Sequence, residues 1–257
     1  MLTILGIAGG AAAASVVGGL IALVRAPTSF FMSLAFGFAS GVLLGTVTLE
    51  MLPQALELSS LWEVAGAFAA GFLAIWLFDL FVNRWHMAGE HAAQYERVVA
   101  YHRSHRPRGD RATVLAGGTS AEELIEGLAI GTGVLVEPEV GALIAAAIAV
   151  DNLSEGLSIG ELVLSGRGPG RASGRRVLGL TSVVGVSLLA SAVFGWLAFR
   201  EAGAGLVGVL LALGAGGMLY LTASALLPPS EEQQYQGSGA LATGAGFLVI
   251  LLLTEAV

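Results

Sequence analysis

The sequence predicts an all-α integral membrane protein with eight transmembrane helices, and three observations carry that prediction. Of its 257 residues, 55% are hydrophobic, and the mean hydropathy is +0.80. Charged residues make up only 12%, against roughly a quarter in soluble domains. The apolar residues run in stretches of roughly 20 or more, the length a helix needs to cross a hydrocarbon core about 30 Å thick. Strands of a membrane barrel would alternate over about ten positions, and no such alternation occurs.

In order, the stretches are Leu2–Val24, Phe30–Leu56, Leu61–Asn83, Ala112–Val136, Val140–Leu164, Val177–Phe199, Ala202–Leu227 and Gly239–Ala256. No Arg precedes Arg25, so the first lacks the basic leader of a signal peptide and reads as a retained span. The second runs into Glu50-Met51-Leu52-Pro53, and the third closes on Asp79 and Asn83. The fourth and fifth carry a cluster of acids. The sixth has no acid, with Thr181, Ser182 and Ser187 as polar candidates. The seventh holds Gly205, Gly208, Gly214, Gly216 and Gly217, small residues that let helices pack closely in lipid. The eighth is apolar nearly throughout.

Charge placement sets the orientation. All 12 basic residues are Arg. Arg25 follows the first span; Arg84, Arg97, Arg103, Arg106, Arg108 and Arg111 follow the third; Arg167, Arg171, Arg175 and Arg176 follow the fifth. With eight spans these eleven share one side, and Arg200 alone lies on the other. The positive-inside rule makes the shared side cytoplasmic and puts both termini outside. Residues 1–257 form one transmembrane domain, with 84–111 a cytoplasmic loop that carries His86, His91, His102 and His105. Gly166–Gly174 reads as a flexible linker. The formal net charge of −7 leaves no basic face for nucleic acid. The absence of Cys excludes disulfides, thiolate metal sites and a Cys nucleophile.

The fourth span contains Glu122-Glu123-Leu124-Ile125-Glu126-Gly127-Leu128-Ala129-Ile130-Gly131. The fifth contains Asp151-Asn152-Leu153-Ser154-Glu155-Gly156-Leu157-Ser158-Ile159-Gly160, offset by 29 residues, with six of ten positions identical. The match reads as a duplicated element. Glu122 lies about 15 Å into its span at 1.5 Å per residue, and Asp151 lies at a similar depth from the opposite side. Both therefore sit near the membrane midplane.

One carboxylate at that depth costs at least ~2.5 kcal/mol, and these two helices carry Glu122, Glu123, Glu126, Asp151 and Glu155. Such groups must face a cavity and be neutralised. No Arg lies in a span core, so protons or metal ions remain. Glu122 and Glu126 share one helix face, four residues apart, and Asp151 and Glu155 repeat the arrangement. A short linker makes the two helices antiparallel neighbours, so the pairs meet. Asn152 adds a neutral oxygen and Glu123 is its counterpart. Two adjoining sites sharing Glu126 and Glu155 follow naturally. The alternative is a protonated carboxyl cluster that ties the helices together by hydrogen bonds. Gly127 and Gly156 permit close backbone approach.

These residues resemble the signature of the ZIP (Zrt/Irt-like) family of divalent metal-ion transporters. In that family the fourth and fifth of eight spans each carry a His-Asn-x-Pro-Glu-Gly-like motif. Phe38 to Pro53 resembles the family's second helix, with Glu50 where a His often stands, and Gly217 to Pro228 resembles the seventh. The resemblance covers nearly the whole chain. It implies a 3+2+3 inverted-repeat arrangement around a two-metal centre, and metal influx by movement of one helix bundle against another. Carboxylates replace the motif histidines: Glu122 and Asp151 take the His positions, Glu123 the first Asn, and Ile125 and Ser154 the prolines. The family's acid in the seventh span is Ala225 here.

Zinc is the metal the resemblance implies. The all-oxygen donor set also suits Mn²⁺ and other hard ions; Mn²⁺, Fe²⁺ and Cd²⁺ are the further candidate cargoes. Glu50, Asp79 and Glu161 are candidate pathway residues. Each also has a simpler reading, as an isolated carboxyl or an interfacial group. The loop histidines have spacings that can hold Zn²⁺, and solvation explains them equally. Partners are the transported cations, the lipid bilayer and a second copy of the chain, and the implied location is a bacterial plasma membrane. An intramembrane metalloenzyme would need a basic clamp, which the acids do not provide; a non-transporting sensor or proton-coupled carrier stays open.

Overall fold

The computed structural model describes residues 1–25, 27–82, 111–167, 170–227 and 235–254, and no strand occurs among them. Eight helical segments follow one another: α1 (Leu2–Val24), α2 (Ser29–Leu58), α3 (Leu61–Val82), α4 (Arg111–Val136), α5 (Pro138–Arg167), α6 (Arg171–Phe199), α7 (Ala204–Leu226) and α8 (Gln236–Thr254). Seven of these described helices are long and apolar enough to cross a membrane. The chain is thus built as a multi-pass membrane protein. The exception is α4. Any stretch of 18 residues within it must include Glu122, Glu123 and Glu126, so its shortfall has the same origin as its interest.

Local chemistry explains the helix boundaries. Thr28 caps α2, its hydroxyl accepting from the Phe31 amide at 3.2 Å. Ser60 and Glu63 form a reciprocal cap at the start of α3: the Ser60 amide donates to Glu63 Oε2 at 3.0 Å and the Glu63 amide to Ser60 Oγ at 3.5 Å. Glu137 alone separates α4 from α5. Pro138 opens α5, where its missing amide hydrogen costs nothing.

The linker expected at Gly166–Gly174 is mostly helix. α5 runs on to Arg167 and α6 begins at Arg171, six residues before the apolar stretch at Val177. Arginine is a good helix former, and Arg176 is fastened by a 2.9 Å bond from Nη2 to Thr113 Oγ1 on α4. Helical structure therefore continues beyond the hydrophobic run. Hydropathy does not see such extensions.

Two helices widen locally. Thr46–Met51 in α2 and Thr222–Leu226 in α7 are π-helical. In each, hydroxyls bond back to carbonyls four residues earlier: Thr46 to Val42 at 3.0 Å, Thr48 to Leu44 at 2.7 Å, Thr222 to Met218 at 2.8 Å and Ser224 to Tyr220 at 2.8 Å. Such bonds compete with the helix ladder. Pro53, just beyond the first widening, has no amide to give and crowds the carbonyl four residues before it. A wider turn relieves both.

Packing divides the helices into two sets. One comprises α1, α4, α5 and α6, with α4 against α6, α1 against α5 and α1 against α6. The other comprises α2, α3, α7 and α8, with α2 against α8 and α3 against α7. The sets meet where α4 packs on α7 and α2 on α5. Fully buried Leu43, Ile130, Ile144, Leu188, Leu211 and Met218 form the apolar core between them.

Glycine allows the closest approaches. A side chain at Gly41 of α2 would strike the Thr243 carbonyl of α8, and one at Gly246 would strike the Phe38 carbonyl. In the same way Gly216 of α7 lies on the Phe68 carbonyl of α3, and Gly71 on the Leu213 carbonyl. Each contact of the first pair has a counterpart in the second, with every participant 175 positions away.

Candidate metal centre

The acidic residues lie midway along α4 and α5. Both helices run unbroken through them, past Ile125 and Ser154. Ser154 and Ser158 return their hydroxyls to the helix, to the Val150 carbonyl at 3.2 Å and the Ser154 carbonyl at 2.9 Å.

The two motifs converge. Asp151 of α5 interacts electrostatically with Glu122 of α4. Glu123 feels Asp151 and Glu122, and Glu126 feels Asp151, Glu123 and Glu122. Glu155 feels all four. The helix-face argument put these side chains on facing sides of α4 and α5, and their charges act on one another. Glu123, Glu126, Asp151 and Asn152 are buried, each with 5% or less of its surface exposed; Glu122 and Glu155 are half-buried.

Several polar atoms here lack the partner that burial ordinarily demands. Oδ1 of Asp151 and Oδ1 of Asn152 are fully buried without a hydrogen bond, and the buried Glu123 carboxylate has the Asn152 side-chain amide as a hydrogen-bonding neighbour. An amide oxygen and an ionised carboxylate oxygen are acceptors, so what the two unpartnered atoms lack is a donor or a cation. Charge supplied by cations would also relieve the mutual repulsion. As they stand, no three acidic or imidazole side chains among the described residues close on one point well enough to hold an ion. Holding one therefore requires side-chain rearrangement.

Glycine and serine seat the two motif helices on the outer ones. Gly127 lies against the Leu188 carbonyl and Ala192 amide of α6, and Gly156 against the Ser15 carbonyl and Gly19 amide of α1. One turn away, the Ser191 hydroxyl of α6 donates to the Leu124 carbonyl, and Gly18 of α1 rests on the Leu153 carbonyl. Leu124 and Leu153 are equivalent in the duplicated motif, so the motif glycines face α6 and α1 rather than each other.

The other sequence candidates lie apart. Glu50 is buried in the π-helical part of α2, and its electrostatic neighbour is Glu137, between α4 and α5. It belongs to that end of the bundle and not to the central group. Glu161 is exposed on α5. Asp79 falls within α3, but its side chain, like Asn83 and the loop residues His86, His91, His102 and His105, lies outside the described residues. Thr181 packs its methyl against Gly19 of α1 and bonds back to Val177 at 2.9 Å; Ser187 bonds back to Val183 at 3.0 Å.

Ser191 and Ser15 escaped the sequence reading. A serine in an apolar helix carries no periodic signal, and only the crossing of helices reveals what it meets. The π-helical turns left a trace: hydroxyl residues at Thr46 and Thr48 ahead of Pro53, and at Thr222 and Ser224 ahead of Pro228.

No protein-family model matches the chain, and no curated protein matches it.

Proposed function

We propose that the chain is a ZIP-type transporter that moves divalent metal cations across the membrane into the cytosol through a two-metal carboxylate centre. One observation carries this reading: five carboxylates on two central helices act on one another electrostatically, and no Arg lies in either span core to neutralise them. Bound cations would supply that neutralisation. Glu122, Glu123, Glu126, Asp151, Asn152 and Glu155 are the proposed ligands, with Glu126 and Glu155 shared between two ions.

The inverted-repeat reading has support from packing. Contacts recur at constant offsets, 175 residues for α2 and α3 against α7 and α8, and 29 residues for α4 against α5. Secondary transporters commonly build midplane sites at such repeats. With both termini outside, the turn at Glu137 faces outward, so Glu50 and Glu137 would flank the access path and Glu161 the inner end. The division into two helix sets suits a movement of one against the other. An enzymatic role on an anionic substrate has no cationic clamp to draw on, because the centre offers carboxyl groups and an amide only.

Uptake by purified protein in liposomes tests the proposal. Zn²⁺ uptake is expected to fall to background in Glu126→Ala and in Glu155→Ala at unchanged membrane abundance; unaltered uptake in both would remove the centre. Oxygen donors discriminate weakly between Zn²⁺ and Mn²⁺, so excess Mn²⁺ is expected to compete with labelled Zn²⁺. Strict Zn²⁺ selectivity would contradict the proposed breadth.

A further inference from the structure

The duplicated motif is asymmetric at one position: Asn152 in α5 stands where α4 has Glu123. Asn152 is wholly buried. Its Nδ2 donates to the Ala11 carbonyl of α1 at 3.2 Å, while its Oδ1 has no partner. Ala11 lies inside a helix, where its carbonyl already serves the ladder and accepts the amide on its second lone pair. That carbonyl dictates the amide's orientation. The flipped amide would set oxygen against oxygen, so Oδ1 must turn away from α1. The neighbouring contacts leave little freedom, since Gly156 and Gly18 bring the two backbones together within a turn or so of this bond.

The geometry points to Asn152 as a positioning residue: the Ala11 carbonyl commits its nitrogen, fixes α5 in register on α1 and presents Oδ1 as a neutral oxygen in a set orientation. A hydrogen-bond donor, and not charge, is then what position 152 requires. The second hydrogen of that nitrogen stays available to the Glu123 carboxylate of α4.

This inference rests on the transporter reading above and makes a counter-intuitive prediction. Aspartate is nearly isosteric with asparagine and adds a negative charge, so a site governed by charge would bind cations more tightly in Asn152→Asp. A carboxylate facing the Ala11 carbonyl instead loses the anchor. Loss of a group that orients a metal ligand typically weakens affinity by about 10- to 100-fold. The test is Mn²⁺ binding to the purified full chain in detergent, read from the loss of the free-ion paramagnetic resonance signal. Asn152→Asp is expected to bind at least about tenfold more weakly than wild type and no better than Asn152→Ala. Affinity equal to or above wild type overturns the inference. The double variant Asn152→Asp with Glu123→Gln restores the charge count and is read against Glu123→Gln alone. Equal affinity of those two would assign the defect of the single variant to charge and overturn the inference; a further loss of about tenfold in the double variant supports the anchor. If wild type itself binds no Mn²⁺ and takes up neither Zn²⁺ nor Mn²⁺, the transporter reading fails instead.

Discussion

Glu123 shows what is unusual at the scale of single residues. A fully buried carboxylate is rare in a folded protein, and this one lies beside Asp151 and Glu122, with the Asn152 amide as a hydrogen-bonding neighbour. On the transporter reading, bound cations offset the cost of holding these charges together. Glu123→Gln removes one charge and keeps the shape. It is expected to stabilise the metal-free protein by about 1 kcal/mol, a rise of about 2–4 °C in Tm for a chain of this size. The same variant is expected to lose most of the stabilisation that Zn²⁺ or Mn²⁺ confers on wild type, which is about 2.7 kcal/mol at a hundredfold excess over Kd. Melting curves with and without metal check both. An unchanged metal-free Tm would mean that this side chain is already neutral, in favour of the hydrogen-bonded alternative. The presence of these acids was legible from the one-dimensional pattern, because two carboxylates four apart in a helix must share a face. Their missing partners were not legible, because satisfaction depends on what the other helices bring.

Helices in lipid gain little from apolar burial against each other, since the surrounding chains are equally apolar. Close backbone approach therefore matters, and glycine in α3 shows it twice over. Gly71 lies on the Leu213 carbonyl of α7, whereas a side chain at Gly66 would meet nothing within 4 Å. Gly71→Ala is expected to destabilise by about 2 kcal/mol or more through overpacking. Gly66→Ala, in the same helix, is expected to be neutral or to stabilise by up to about 1 kcal/mol through propensity. Thermal melting in detergent checks the contrast; equal effects would argue against the α3–α7 contact. Sequence periodicity could not separate these two glycines. The helix cores were legible for the opposite reason, since lipid demands an uninterrupted apolar run. Helix ends and π-helical turns were less so, because hydroxyl back-bonding and a cap such as Ser60–Glu63 decide them locally.

The two helix sets define the whole molecule. Within the second set, a side chain at Gly37 of α2 would lie 3.2 Å from Ala242 Cβ of α8; between the sets, one at Gly214 of α7 would lie 3.2 Å from Ala129 Cβ of α4. Both separations are slightly below the usual disulfide range of about 3.5–4.5 Å between Cβ atoms, a gap that small backbone shifts close. The chain has no Cys of its own, so engineered pairs react without background. Oxidation of Ala129→Cys with Gly214→Cys is expected to abolish uptake, and reduction to restore it. Oxidation of Gly37→Cys with Ala242→Cys is expected to leave uptake equal to that of the same variant reduced, a comparison that discounts the clash of a side chain at Gly37 with the Gly239 carbonyl. Uptake through the oxidised Ala129–Gly214 pair would exclude relative movement of the sets at that seam.

By itself the sequence determined that the chain spans a membrane repeatedly, that α4 and α5 carry a duplicated acidic motif, and that Glu122, Glu126, Asp151 and Glu155 share facing sides. Hydropathy and helical spacing are local properties, and lipid enforces both. Tertiary structure alone decided which outer helix holds each motif and that Glu50 sits apart beside Glu137. It also decided that Asn152 gives its nitrogen to Ala11 while its Oδ1 stays unpartnered. Those outcomes depend on backbones meeting across up to 141 residues of chain, where steric fit and hydrogen-bond complementarity between helices act, and no periodicity along a single helix encodes them.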